Sequence, residues 1–474
     1  MNFESYRNYD SVGLAKLVAD GEVSADELLK CCIERIEAVN PTINAVTYKQ
    51  YDSARAAIAG GLPNGPLKGV PFLIKHLNNY DAGHPTTNGS KLFKDFVPDH
   101  DATYVERVKN AGLVIVGRTN TPEMGLNPTT EPIAYGATKN PWNLEHSAGG
   151  SSGGASAAVA AGIMPTAQAT DGGGSIRIPA ANCGLVGLKP TRGRNPLGPD
   201  VGEGWGGMST GHVVSRTVRD TAVFLDCTHG PAPGDPYYAP VPDHPFAEDV
   251  GRDPGQLRIA VMTTNYDGKP LAPDCVKAIE NTAKLCEALG HHVEPAMPEI
   301  TYADYKAAGG TIISANVANT LKSYCRQLGR ELRPNDVETT TWATVQSAAK
   351  RSAEDMAAAV AKIHQLGRIF GRFFQKYDLL LGTTLSNPPL PLGYLDANTD
   401  DVGEFAARMT DELCLTPPFN WTGSPAISLP MYWTTDGLPV GVHFGADFGN
   451  EALLIQIAAQ MEVAQPWFEN TPNV

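Results

Sequence analysis

A mixed α/β fold in one large domain is predicted by three features of the sequence. Short apolar runs, VPFLI at 70–74, LVIVG at 113–117 and LRIAVM at 257–262, read as interior strands. Segments of helical pattern, such as Asp274 to Leu289, lie between such runs. Hydrophobic residues make up 42% of the 474 and charged residues 19%, enough apolar material for a large core, and no linker-like stretch divides the chain.

In chain order, Ser24 and Glu27 form a capping box that opens an amphipathic helix running to about Val39 and ending before Pro41. This helix dominates an N-terminal helical segment, residues 1–60. Residues 61–230 form a core holding the first apolar strands and a glycine-rich stretch, with a Pro/Gly-rich surface loop from Asn195 to Gly207. Residues 231–474 begin with a second such loop at 231–245 and supply the rest of the sheet. They also provide a helical cover over about 300–375 and a C-terminal motif, PFNWTGSPAISLP followed by DGLPVGV. Long loops of this kind often shape entry to a site. No internal repeat is present.

Charge narrows the range of partners. With 37 basic and 51 acidic residues the formal net charge is -14, without blocks of like charge, which makes nucleic acid and anionic membranes poor partners. No apolar run reaches the length of a membrane span, and the N-terminus MNFESYRNYD lacks a secretory pattern. Eight cysteines without C-x-x-C spacing, Cys31 and Cys32 adjacent in a helical pattern, read as reduced thiols of a cytoplasmic protein. The eleven histidines form no metal-binding spacing, and the pair His291-His292 reads as a solvated turn, so no metal or cofactor is expected.

The most informative stretch is Gly149 to Arg194, where Ser151 and Ser175 each sit in a cluster of glycines. A glycine-flanked serine leaves its hydroxyl uncovered and lets neighbouring N–H groups converge on one oxygen, as an acyl-transfer nucleophile requires. GGSSGG also resembles a flexible linker, but it runs into the apolar segments ASAAVAAGI, IRIPAA and GLVGL and therefore reads as interior. A phosphate loop would need G-x-x-x-x-G-K-[ST], which is absent. Gly149 to Gly153 formally matches the G-x-S-x-G nucleophile elbow, with His364 or His443 as partners, yet NPWNLEHSAG before it is a poor strand. Lys75, ending the VPFLI run, offers another base. Such a lysine ordinarily snorkels to water; held in the interior beside hydroxyls, it would lose its charge by desolvation and do a histidine's work.

Together Lys75 in GVPFLIK, GGSSGG at 149–154, TDGGGSIRIPA at 170–180 and GLKPTRGR at 187–194 resemble the amidase signature family. TNTPEMG at 119–125, TEPIAYGATKNPWN at 130–143 and the C-terminal motif extend the resemblance over nearly the whole chain. It implies a mixed β-sheet core covered by helices on both sides. It further implies a Ser-cisSer-Lys triad with Ser175 as nucleophile, Ser151 as the bridging serine after a cis peptide at Gly150, and Lys75 as base. The amides of Gly172, Gly173, Gly174 and Ser175 would form the oxyanion hole, with Ser152, Thr170, Asp171 and Arg177 supporting. Asp171 and Arg177 read as a buried ion pair holding the nucleophile turn. The chain departs from the family pattern at His76, commonly aspartate, at Ala169, at Gly382 and at His443. On a strand His76 would face away from Lys75 and stay outside the proton relay.

The expected partner is a small-molecule amide, and among family branches the shared segments look most like the one hydrolysing cyclic 6-aminohexanoate dimers. A carbamate or aryl-amide substrate remains an alternative, for which Gly172 would leave room, as does a catalytically silent binding scaffold. An amidotransferase subunit is less favoured, and self-association as a homodimer stays open.

Overall fold

The computed structural model describes residues 1–474. Thirteen strands form: β1 Val46–Lys49, β2 Pro71–Lys75, β3 Val114–Thr119, β4 Lys139–Asn140, β5 Asn143–Ser147, β6 Thr166–Asp171 and β7 Val186–Lys189 in the first half, then β8 Thr210–Ser215, β9 Arg258–Val261, β10 His292–Pro295, β11 Leu379–Thr383, β12 Ala426–Trp433 and β13 Pro439–Gly445. Eight of them make a mixed sheet in the order β10-β9-β11-β13-β12-β7-β8-β6. Its β10-β9-β11 end is parallel and the remaining pairs are antiparallel. A three-stranded sheet, β1-β3-β2, lies beside it, and the two meet where the Lys75 N–H donates to the Gln168 side chain at 3.0 Å. Helices flank the large sheet on both sides, as expected.

The apolar runs VPFLI, LVIVG and LRIAVM lie in β2, β3 and β9. Strands β2, β3, β6, β7 and β8 are buried on both faces, which explains why VPFLI and LVIVG, in β2 and β3, read as continuous rather than alternating apolar segments. The capping box is present, but the helix runs over Ala25–Ile43 and passes through Pro41. Proline in this last turn removes one backbone donor and leaves the earlier turns intact. The helix ends three residues later at Asn44, which takes a left-handed conformation (φ 51°) and donates to Asn40 O at 2.8 Å. Residues 1–60 also contribute a strand, β1, that the sequence pattern did not suggest.

The expected helical cover consists of Tyr302–Gln327, Thr339–Ala348 and Ala353–Phe374. Between the strands carrying the glycine clusters, the Gly153–Ala160 and Arg177–Cys183 helices are buried all round. No helix is long and apolar enough to cross a membrane. His291 departs from the solvated reading: it is buried, accepting from Leu257 N at 3.2 Å and bonded to Gln460 at 2.8 Å, while His292 is exposed.

Candidate active site

Strand β2 ends on Lys75, whose side chain is fully buried. Its Nζ lies 2.6 Å from Ser151 Oγ, 2.9 Å from Ser152 Oγ and 3.0 Å from Thr170 Oγ1. Burial pushes the amine well below the usual lysine range, opposed only by the negative charge of Asp171. A neutral amine donates two hydrogens and accepts one, so one of the three hydroxyls must donate to it. The Ser152 hydroxyl is directed at Thr170 O (3.4 Å), which leaves the Ser151 and Thr170 hydroxyls to supply that donor, Ser151 at the shorter distance.

Gly150 and Ser151 are joined by a cis peptide bond. The backbone here is closely surrounded: a Cβ on Gly150 would lie 2.5 Å from Thr129 O and 2.6 Å from Asn127 O. Thr130, to which the sequence pattern assigned no role, pins both sides of the turn by donating to Gly149 O (2.8 Å) and accepting from Gly153 N (3.1 Å). Strand β5 ends at Ser147, and the two-stranded β4-β5 ribbon is separate from the main sheet, so no nucleophile elbow forms. His364 is exposed on the Ala353–Phe374 helix, and His443 is buried against Arg177, its Nε2 3.1 Å from Nη1. Since a guanidinium only donates, this nitrogen of His443 accepts.

The turn from Asp171 to Ser175, expected to carry the nucleophile, begins as β6 ends. Asp171 and Arg177, both fully buried, pair through Nε–Oδ2 (2.9 Å) and Nη2–Oδ1 (3.0 Å). Burial alone would raise the Asp171 pKa, but the charge and hydrogen bonds of Arg177, helped by Lys189 and Asn420, hold it well below the usual carboxylate range. The C-terminal motif closes the network: Asn420 accepts from Arg177 (2.7 Å) and donates to Asp171 (2.8 Å), and the Thr416 hydroxyl donates to Gly173 O (2.7 Å). The buried ion pair holding the turn is therefore present.

Two expectations about this turn need correction. The Gly174 N–H donates to Asp171 Oδ1 at 2.7 Å and is thereby removed from the oxyanion donors. The N–H groups of Gly172, Gly173 and Ser175 make no hydrogen bond within the chain and remain free. Gly172 does not leave room for a bulky group either. The space beside its Cα is filled by Trp205, whose Cε3 and Cζ3 would each lie 2.7 Å from a Cβ placed there. Gly174 (φ +136°) is required as glycine, because a Cβ would meet Thr416 Oγ1 at 2.4 Å.

His76 points away from the relay, as its alternation on the strand implied. Its Nδ1 lies 3.2 Å from Thr47 Oγ1 and its Nε2 is 3.1 Å from Pro85 O, and burial with the nearby Arg118 charge lowers its pKa to about 3.

Ser175 is half-buried and lines a cavity of about 350 Å³ together with Gly150, Gly172 and Gly173. The opposite walls come from Gly125–Pro128, Trp205, and the Tyr302–Gln327, Thr339–Ala348 and Val402–Glu412 helices. Its lining contains no Asp, Glu, Lys, Arg or His. The loop at 195–207, read as a surface loop of the kind that shapes entry to a site, supplies Trp205 to this wall.

Comparison with known proteins places this arrangement. The family model described as Amidase matches residues 27–455. The chain belongs to the amidase family. This amidase is 41% identical over 477 positions to the 6-aminohexanoate-cyclic-dimer hydrolase of Paenarthrobacter ureafaciens, covering 98% of this chain and 96% of that protein. A solved structure of 6-aminohexanoate cyclic dimer hydrolase complexed with substrate matches it with a TM-score of 0.94 at 40% identity, covering 98% of each chain. A bacterial aryl acylamidase matches with a TM-score of 0.88 at 29% identity, over 97% of this chain and 96% of that one. The amidase is accordingly a hydrolase of carbon–nitrogen bonds other than peptide bonds.

Proposed function

We propose that this amidase cleaves an uncharged amide through a serine acyl-enzyme, with Ser175 as nucleophile, Ser151 as proton relay and Lys75 as base. The observation that carries the reading is the fully buried Lys75 amine, 2.6 Å from Ser151 Oγ, beside the cavity lined by Ser175. Ser175 Oγ attacks the carbonyl carbon while its proton passes to Ser151 Oγ and the Ser151 proton passes to Lys75 Nζ. The oxyanion is held by the N–H groups of Gly172, Gly173 and Ser175. Collapse of the tetrahedral intermediate breaks the C–N bond, and the amine leaves with a proton returned along the same relay. Water, deprotonated by the relay, then hydrolyses the ester and regenerates Ser175.

The cavity supports a substrate class as well. A linear aminohexanoate oligomer carries an ammonium and a carboxylate, and burying either without a partner is costly. The uncharged lining instead suits a cyclic amide of the 6-aminohexanoate type, in which both ends are tied up in amide bonds. A neutral aryl amide or carbamate is the second reading, favoured by Trp205, Phe405 and Met409 in the wall. Eight free cysteines, seven of them buried, suit the reducing cytoplasm in which we place the enzyme.

Intact-mass analysis after treatment with a serine-directed fluorophosphonate tests the chemistry. The label is expected on Ser175 and is expected to be lost in both Ser175→Ala and Lys75→Ala. Labelling of Ser151, or labelling indifferent to Lys75, would overturn the assignment. Turnover of cyclic and uncapped linear 6-aminohexanoate dimers tests the substrate class. The cyclic dimer should have at least about tenfold higher kcat/KM, and equal values would remove the argument from the neutral wall.

A further inference from the structure

Trp205 occupies a conformation that its own loop does not ask for. It lies in Gly204-Trp205-Gly206-Gly207 with a left-handed backbone (φ 54°), a region where a bulky residue is uncommon and a glycine would be at ease. The loop is tied down around it. Ser209 N donates to Gly204 O at 3.0 Å, Arg192 Nε donates to Gly207 O at 2.5 Å, and a Cβ on Gly206 would already lie 3.0 Å from Ile312 of the Tyr302–Gln327 helix. The backbone that carries the indole is therefore held on both sides. Its six-membered ring covers Gly172, one of the free N–H donors of the nucleophile turn, while the neighbouring Gly173 has nothing within 4 Å of where its Cβ would be. One half of the turn is walled by the indole and the other half is open to the cavity.

We propose that Trp205 is the specificity-determining residue of this site, setting how large a substituent can lie along the nucleophile turn next to the scissile carbonyl. The proposal rests on the acyl-enzyme reading above. A slim chain passes over Gly173 and stops at the indole face. A branched or aromatic substituent directed at Gly172 meets the ring, which packs beside the Gly172 Cα from a loop whose backbone is hydrogen-bonded on both sides. The residue at 172 must be glycine for the same reason: its φ is ordinary, so alanine is excluded there only by the indole.

The test uses two homologous series of N-alkyl amides, one growing on the acyl side and one on the amine side, with wild type, Trp205→Phe and Trp205→Ala. In one series Trp205→Ala should raise the bulky-to-small ratio of kcat/KM at least about tenfold, with Trp205→Phe between. A ratio unmoved in both series by either variant overturns the proposal. Gly172→Ala provides an independent arm. Alone it should lower kcat/KM at least about tenfold by overpacking against the indole, and in the Gly172→Ala/Trp205→Ala double variant most of that loss should be recovered. A double variant as impaired as the sum of the singles overturns the contact. Fluorophosphonate labelling counts competent sites in each variant. If Trp205→Ala does not fold, Trp205→Phe and its pairing with Gly172→Ala decide. A Ser175→Ala protein that hydrolyses amides at the wild-type rate would defeat the acyl-enzyme reading, whereas an inactive Ser175→Ala protein with unmoved size ratios would defeat the role of Trp205 alone.

Discussion

Lys75 is the proposed base, and two properties that substitution can separate bear on that role: a lysine amine is ordinarily a cation, and burial here disfavours its charged form. Because burial lowers its pKa, kcat/KM should rise with pH as the amine deprotonates and then level off, and a profile flat between about pH 5 and 9 would contradict a titrating base. Lys75→Arg sharpens the point. A guanidinium stays protonated at every usable pH, so this variant should be as inactive as Lys75→Ala, by a factor of about 10³ or more, with no recovery at high pH. Asp171→Asn acts on the scaffold: Arg177 would be left as an unpaired buried charge, a loss of roughly 3–5 kcal/mol in urea unfolding. Lys75, Ser151 and Ser175 were legible in the sequence because an apolar strand ending in lysine and serines between glycines are unusual locally. The correction at Gly174 was not legible, because which N–H a carboxylate takes depends on how the turn closes over Asp171. Trp205 was hidden for a related reason: a tryptophan in a glycine-rich loop gives no periodic signal, and its target Gly172 lies 33 positions earlier in the chain.

At the scale of elements, the walls of the cavity are joined by two buried carboxyl groups that no motif singled out. Glu123 lies two residues before the Gly125–Pro128 segment, and Glu338 directly precedes the Thr339–Ala348 helix; both segments line the cavity. Glu123 accepts the Glu338 N–H at 2.7 Å and the Ser90 hydroxyl at 2.5 Å, while the Glu338 side chain accepts from Ile133 N at 2.8 Å. Burial, and then the charge of Glu123, push the Glu338 pKa up to about 7. A carboxyl raised in the folded state stabilises the fold where it is protonated and loses that contribution as pH rises through its folded pKa. Glu338→Gln keeps the acceptor for Ile133 and cannot ionise. It should therefore be more stable than wild type by about 2 kcal/mol at pH 8 and nearly equal to it at pH 5. Denaturant midpoints at the two pH values check this, and a difference that does not change with pH would exclude Glu338 as the titrating group. The interior strands were readable from their apolar runs, and so was the capping box at Ser24. The end of that helix was not, because a proline in a last turn costs a single donor and Asn40 and Asn44 complete the cap through contacts specific to the fold.

For the whole molecule, the α/β class follows from local patterns, whereas the order β10-β9-β11-β13-β12-β7-β8-β6 pairs β7 with β12 across 237 residues, from Lys189 to Ala426, and leaves no trace in any short window. The same long-range burial traps ionisable groups of both kinds, and their linkage sets the pH at which the fold is firmest. His76 and His212 have folded pKa values lowered to about 3 and about 4, chiefly by burial, and His443 is lowered well below its ordinary value for the same reason. The unfolded chain takes up protons at these histidines below about pH 6.5 while the fold cannot, so they withdraw stability as pH falls from there. Burial raises Glu338, Glu412 and Glu462 to about 7, and burial with the charge of Asp10 raises Asp220 to about 8. These carboxyls have the opposite sign: their contribution is complete only below the unfolded carboxyl range near pH 4 and is lost progressively as pH rises from there through the folded values of 7 to 8. Between about pH 5 and 6.5 the two sets largely offset, and above neutrality only the carboxyl loss remains. Below about pH 4 the unfolded chain takes up protons at Asp171 and Glu451 while the fold keeps both ionised in their pairs with Arg177 and Arg194, so these pairs withdraw stability as pH falls further. Stability should therefore peak in mild acid, while the proposed deprotonation of Lys75 gives catalysis no reason to fall with it as pH rises. Thermal unfolding and kcat/KM measured over one buffer series test this divergence: a Tm that keeps climbing from about pH 6.5 to 8.5 would mean that the buried carboxyls do not carry the protons assigned to them.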